Sequence, residues 1–358
     1  MAENATAVTR LPAAQVQAFI ARTLIAAAIP ASDAESIAEL MTRADVNGSD
    51  GHGVFRLPQY VRRIQGGAVN VRPNIRTVRE APAMALVDGD NGMGHLVMRY
   101  ATEKAIAKAK QSGVAWVGVK WSNHAGPASL YASMPVAHDM IGLYLAVGNA
   151  NHLPPWGGID MLLSTNPIAV AIPAGEESPV VLDMATTVAA YGKVKTKAQR
   201  GETMPEGWMM DRNGQPLTDP RRASEGFLLP IGGYKGYGLA LIFGMLAGTL
   251  NGAAMGRDVV DFNADDTTPT NTGHAIVAIS VEAFQPVAEF KASVDALVRD
   301  IRESKRLPGV DRIWLPGEQS VIKRAERTKL GIPMPGPLLE SLDELAKQLG
   351  VEPLRREK

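Results

Sequence analysis

The chain has 358 residues, 46% hydrophobic and 21% charged, which suits a folded protein with a sizeable core and excludes a disordered or collagen-like chain. Lys plus Arg and Asp plus Glu both number 37, so no global field favours nucleic acid or an anionic membrane. With no cysteine there is no disulfide framework, zinc-thiolate site, iron-sulfur cluster or thiol nucleophile.

The N-terminal stretch MAENATAVTRLPAAQ lacks the basic start and unbroken apolar core of a secretory signal, so a cytoplasmic protein is expected. At roughly 150 residues per domain the length suggests two domains, and one large enzyme fits as well. Val16, Phe19, Ile20, Leu24 and Ile25 recur at mostly helical spacing between Leu11 and Ala28, and Pro30 ends that helix. Ser32 with Glu35 three residues later reads as a capping box that opens a second helix with Ile37, Leu40 and Met41 on one face. SDGHGVFRLPQYVRR then sets His52 between Gly51 and Gly53, at an element junction.

Thr77 to Asp88 reads as an extended segment, followed by the glycine turn DGDNGMGH and a helix over Val97 to Gln111. VAWVGV, IGLYLAV, IAVAIP and SPVVLDMA are short apolar runs bounded by turn residues and are expected to form a central sheet. Their connections are too short for crossover helices, so several pairings should be antiparallel. Gly201 to Gly233 and Asn263 to Gly273 are long polar stretches of the kind that form binding loops or lids. The apolar stretch from Tyr237 to Met255, interrupted by Asn251, falls short of a membrane span and is expected to pack as a helix. Helical periodicity returns from Phe290 onward.

His52, His95, His124, His138, His152 and His274 show no metal-ligand spacing. His52 stands out, with Asp50 two residues before it and Arg56 four after. Imidazole moves a proton near neutral pH and guanidinium grips a carboxylate bidentately, a pairing that suits 2-oxo acid reduction. A turn histidine beside a solvated arginine is the plain alternative. His124 lies in the small-residue loop SNHAGPASLY, which either lets a flat ligand approach or caps a helix.

Asn149, Thr165 and Asn166 fall at strand ends, where they either meet ligand or cap turns. LDMATTVAAYGKVK offers Asp183, Thr186 and Thr187 with Lys193 downstream, again either a site or a strand-end turn. Lys235 in GGYKGYG sits where backbone N–H groups and an ammonium suit a phosphate, or else simply faces solvent at a helix start. No Walker loop, GxGxxG fingerprint or GxSxG elbow is present, so an ordinary dinucleotide fold and a serine hydrolase are unsupported.

Taken in order, DGHGVFRLPQY, DGDNGMG, SNHAG, STNPIAVAIP, LDMATT, GWMMDRNGQPLTDP, YKGYGLAL and WLPGE resemble the malate/L-lactate dehydrogenase family of the non-Rossmann type. This family also contains ureidoglycolate, sulfolactate and diketogulonate dehydrogenases and 1-piperideine-2-carboxylate reductase. The resemblance implies an α/β fold: a largely antiparallel mixed-sheet cofactor domain flanked by helices, and a helical substrate and dimerisation domain built from both chain ends. Residues 1–115 and 286–358 would form the helical part and 116–285 the cofactor domain.

The same resemblance implies a homodimeric oxidoreductase using NAD or NADP on a small carboxylate substrate. His52 and Lys193 would be catalytic, and Arg56, Thr165 and His124 would bind substrate. The cofactor would contact His124, Ala125, Gly126, Pro127 and Ala128, then Asp183, Met184 and Ala185, then Tyr234 and Lys235, and finally Pro316, Gly317 and Glu318. Two positions matter for substrate choice. Gly51 stands where family members commonly carry serine, and Lys193 stands where those acting on cyclic imines tend to carry Asp. The expected reaction is therefore interconversion of a 2-hydroxy and a 2-oxo acid, with cyclic-imine reduction or a catalytically silent ligand-binding relative as rivals.

Overall fold

The computed structural model describes residues 9–199 and 201–355. β1 (Thr9–Leu11) leads into α1 (Ala13–Ala26) and α2 (Ala31–Val46); Val16, Phe19, Ile20 and Leu24 of α1 and Ile37, Leu40 and Met41 of α2 are buried as their spacing predicts, whereas Ile25 is exposed. The capping box does not form. Pro30 stands at the N-cap of α2 with no side-chain cap, and the helix starts at Ala31, so Ser32 lies inside the first turn. Two short 3-10 turns, Asp50–His52 and Val54–Arg56, precede α3 (Leu57–Gln65).

The extended segment is a hairpin, β2 (Arg76–Ala81) and β3 (Met84–Gly92), followed by α4 (Gly94–Ser112) and β4 (Val114–Ser122). After α5 (Ser129–Ala132) come β5 (Met140–Ala146), β6 (Ile168–Ile172) and β7 (Val180–Met184), where the bounded apolar runs predict them. Next follow α6 (Tyr191–Gln199), β8 (Met209–Asp211), β9 (Gly226–Leu228) and α7 (Tyr234–Ala247). The chain then passes through β10 (His274–Ser280), α8 (Val287–Glu303), α9 (Glu318–Leu330), β11 (Ile332–Met334) and α10 (Gly336–Leu349). No helix among the described residues is long and apolar enough to cross a membrane.

Seven strands pair in the order β2-β3-β4-β10-β5-β6-β7, antiparallel throughout except β3 with β4. That one parallel step is made by α4, a single long helix of the kind a parallel crossover requires. β10 runs between β4 and β5 and is mostly buried, so the strand most central to the sheet arrives late in the chain.

A second core gathers α1, α2, α3 and α10 around Phe19, Leu24, Ile37, Leu57, Tyr60 and Leu342, with β1 paired to β11 beside it. The helical layer is thus built from both chain ends. A third, small core of Val194, Met204, Met209, Leu217 and Leu228 holds α6 against the β8–β9 ribbon, so much of the long polar stretch folds as a unit of its own.

Candidate active site

The loop that carries His52 is clamped from beneath. Asp45, buried in α2, accepts the Val54 N–H at 2.8 Å, and a Cβ on Gly53 would collide with its carboxylate. Glycine is required there because loop backbone and carboxyl group nearly touch. Burial drives the Asp45 carboxyl up to about 8. From α9, Arg327 pairs with Asp50 and also donates to the Asp45 carbonyl. Arg56 folds back on the same loop, donating from Nε to the Gly51 carbonyl at 2.9 Å and from Nη1 to Gln59 Oε1 at 2.7 Å. Its Nη2 has no partner among the described residues, which leaves one edge of the guanidinium for a ligand.

His52 lies parallel to His124, ring centroids 5.3 Å apart and planes 9° from parallel. Phe262 covers His124 at the same centroid distance, 5.3 Å and 21°. Tyr60 approaches from α3 and places its hydroxyl 2.6 Å from His124 Nδ1. The Gly126 N–H also points at that nitrogen, at 3.4 Å, and an N–H can only donate. Nδ1 is therefore an acceptor, the Tyr60 hydroxyl donates, and the proton of neutral His124 sits on Nε2.

Burial, reinforced by the field of Arg56, lowers His52 to about 4 and sets His124 well below its ordinary value. His52 Nδ1 is buried without a partner. His95, fully buried edge-on to Tyr60 at 5.7 Å, is lowered to about 3, chiefly by burial.

Four separate segments meet around the end of β7. Ser129, just after the His124–Ala128 loop, donates its N–H to Asp183 Oδ2 at 2.9 Å. Val181 donates to the Pro316 carbonyl at 3.1 Å, and Gly317 packs so closely on Val181 that a Cβ would press against it at 3.1 Å. The N-terminus of α7 is docked by Ile231 N–H on the Thr186 carbonyl at 3.0 Å. Gly232 and Gly233, with φ of 58° and 64°, turn the chain into α7, and Tyr234 and Lys235 stand exposed in its first turn. Asp183, Met184 and Ala185 are thereby flanked by the other three segments.

Other candidates are placed differently. The Thr165 carbonyl accepts both the N–H and the hydroxyl of Thr186, at 2.9 and 2.8 Å. Asn166 is committed to the fold, taking the Gly148 N–H and donating to the Ala240 carbonyl, and Asn149 donates to Thr272 Oγ1 at 2.6 Å. Lys193 is exposed in the first turn of α6, its N–H donates to the Ala190 carbonyl at 2.9 Å, and its ammonium has no hydrogen bond or ion pair among the described residues. The Glu318 carboxylate is occupied by Arg302, Arg312 and the Leu315 N–H, and its own N–H donates to the Leu315 carbonyl at 3.2 Å. Tyr60, His95, Phe262, Asp45 and Arg327 join the site although their sequence context did not mark them. Tyr60 was signalled only by lying inside DGHGVFRLPQY.

The malate/L-lactate dehydrogenase family model matches residues 11–343, and the chain belongs to that family. It is 39% identical over 354 residues to a malate dehydrogenase of Pyrococcus horikoshii, covering 96% of this chain and 97% of that one. To an L-sulfolactate dehydrogenase of Methanocaldococcus jannaschii it is 38% identical, over 90% and 92% of the two chains. The solved structure of malate dehydrogenase from Pyrococcus horikoshii superimposes with a TM-score of 0.89 at 36% identity, covering 97% of both chains.

Proposed function

We propose that this protein is an oxidoreductase that interconverts a small 2-hydroxy acid and its 2-oxo acid with NAD or NADP. The observation that carries the reading is the pairing of His52 with Arg56: a neutral imidazole beside a guanidinium with one edge uncommitted. Family membership supports it, since relatives are named for malate, sulfolactate and lactate.

Arg56 receives the C1 carboxylate, so the C2 oxygen falls toward the two stacked imidazoles. In the oxidative direction neutral His52 takes the hydroxyl proton, and His124 donates from Nε2 to the same oxygen. Substrate binding assists this step. Once a carboxylate neutralises Arg56, the field that lowers His52 weakens and the imidazole becomes a stronger base.

The convergence around β7 fits a dinucleotide. The glycine turn into α7 spends the Gly233, Lys235 and Gly236 N–H groups internally and offers chiefly the exposed Lys235 ammonium to phosphates, with the Ala125–Ala128 and Pro316–Glu318 turns on the flanks. When bound, the nicotinamide accepts or supplies the hydride at C2. Lys193, exposed near this edge, is kept as a catalytic candidate and Thr165 as a substrate contact.

The division of labour follows the two cores, with the helical layer of residues 1–115 and 286–358 for substrate and partner and the sheet of 116–285 for cofactor, although β2 and β3 join the sheet ahead of residue 116. A homodimer is supported by Leu239, Ile242 and Met245, which expose one apolar stripe of α7. The cysteine-free chain suits the cytoplasm. An absorbance screen crossing both nicotinamide cofactors with malate, lactate and cyclic imines tests the reading: turnover of a hydroxy acid is expected, and turnover of imines alone would overturn it.

A further inference from the structure

In the reading above Arg56 takes one carboxylate, and a second cation is linked to Arg56 through the loop behind His124. Lys195, on α6, reaches Asn263 Oδ1 at 3.4 Å and lies over the ring of Tyr191, 5.5 Å from its centroid. Tyr191 is itself fixed by stacking on His152 at 4.1 Å, so the lysine stem has a firm platform.

A continuous path runs through the loop between the two cations. Arg56 donates to Gln59, Gln59 Nε2 donates to the Phe262 carbonyl at 3.0 Å, and the next residue, Asn263, accepts from Lys195. Phe262 is also the residue that backs His124. Arg63 secures this loop, with its guanidinium 4.9 Å from the Phe262 ring centroid and Nη2 on the Thr268 carbonyl at 2.9 Å.

Lys197, two residues along, is paired with Glu202 at 2.7 Å, whereas Lys195 has no ion pair among the described residues and keeps access to solvent. Burial and the field of Arg56 both lower Lys195, with Asp261 opposing them, so the two cations sense each other. With its ammonium near Asn263, over the Tyr191 ring and open to solvent, Lys195 can take an anion in exchange for water.

We propose that Lys195 receives a second anionic group of the substrate, making it the residue that selects 2-hydroxy acids with a distal carboxylate or sulfonate over those ending in a methyl group. This rests on the hydroxy-acid reading above and adds the substrate class to it. The role falls to Lys195 rather than to its neighbour Lys193, because only Lys195 is tied to the loop behind His124.

The test compares wild-type enzyme with Lys195→Met and Lys195→Arg on malate, sulfolactate and lactate, with melting temperatures as a check on folding. In Lys195→Met the ratio of kcat/KM for malate to that for lactate is expected to fall roughly ten- to hundredfold, carried by KM, because one charge-assisted contact is lost. Sulfolactate should follow malate, and Lys195→Arg should restore most of the preference. Equal losses on malate and lactate, a loss confined to kcat, or an unchanged ratio would overturn the proposal. Wild-type enzyme that turns over lactate as well as malate would also overturn it while leaving the hydroxy-acid reading intact. Failure of all three substrates with both cofactors would overturn that reading and this proposal together.

Discussion

Removing one oxygen atom in Tyr60→Phe isolates the role of the imidazole stack. The Tyr60 ring is 2% exposed and packs against His95, His124 and Phe262 with centroids 5.7, 5.9 and 6.2 Å away, contacts that phenylalanine retains. What disappears is the 2.6 Å hydrogen bond to His124 Nδ1, which leaves that nitrogen with the long 3.4 Å contact from Gly126. The stability loss should be about 1–2 kcal/mol, the cost of one buried hydrogen bond whose acceptor is left poorly satisfied. That lowers the melting temperature by no more than about 2–4 °C per kcal/mol in a chain of this size.

Catalysis should suffer more. Without the Tyr60 donor, His124 is free to carry its proton on Nδ1, and the Nε2 donor facing the C2 oxygen is lost from that fraction of molecules. We expect kcat/KM for malate to fall roughly ten- to hundredfold in steady-state assays. A lowered melting temperature with unchanged kcat/KM would refute the reasoning and reduce Tyr60 to packing.

Three further outcomes follow from the same geometry. A Cβ at Gly51 meets nothing within 4 Å, so Gly51→Ser should change stability by less than about 0.5 kcal/mol and, by setting a hydroxyl beside His52, raise kcat/KM; a fall would mean that the pocket is built around glycine. His95 and His274 are buried neutral and lowered, chiefly by burial, to about 3 and about 4. The unfolded chain therefore binds protons that the folded chain does not, so stability is fully present above the ordinary value of 6.5 and is lost as pH falls toward 4. Each contributes a slope of about 1.4 kcal/mol per pH unit in that window, and denaturant midpoints that stay flat from pH 6.5 to 4.5 would contradict it. Ile242, 52% exposed on α7, should lie in the dimer contact, so Ile242→Asp should yield monomers in sedimentation, and a monomeric parent would contradict the dimer.

Much of the site was legible because its chemistry sits in short motifs. His52 and Arg56 share one loop, His124 follows a clear strand, and the segments proposed to hold cofactor lie around the end of β7. What stayed hidden depends on partners far away in the chain. Tyr60 meets His124 across 64 residues and Arg327 meets Asp50 across 277, separations that no local pattern records. Lys193 and Lys195 look alike in YGKVK, and only their partners in space, Asn263 and the Tyr191 ring for Lys195, distinguish them. β10 escaped notice because its apolar run follows a long polar loop, although its burial on the sheet axis explains why it is so apolar. The Ser32 capping box failed because Pro30 had already taken the N-cap of α2.

The central claim is that His52 and Arg56 act on one bound carboxylate substrate. Its most direct test is the rate of change in the reduced-nicotinamide absorbance band with malate for wild type, His52→Ala and Arg56→Met, each checked for folding. Loss of the imidazole should lower kcat by roughly 10²- to 10⁴-fold, and loss of the guanidinium should mainly raise KM. Rates and KM indistinguishable from wild type in either folded variant would contradict the account.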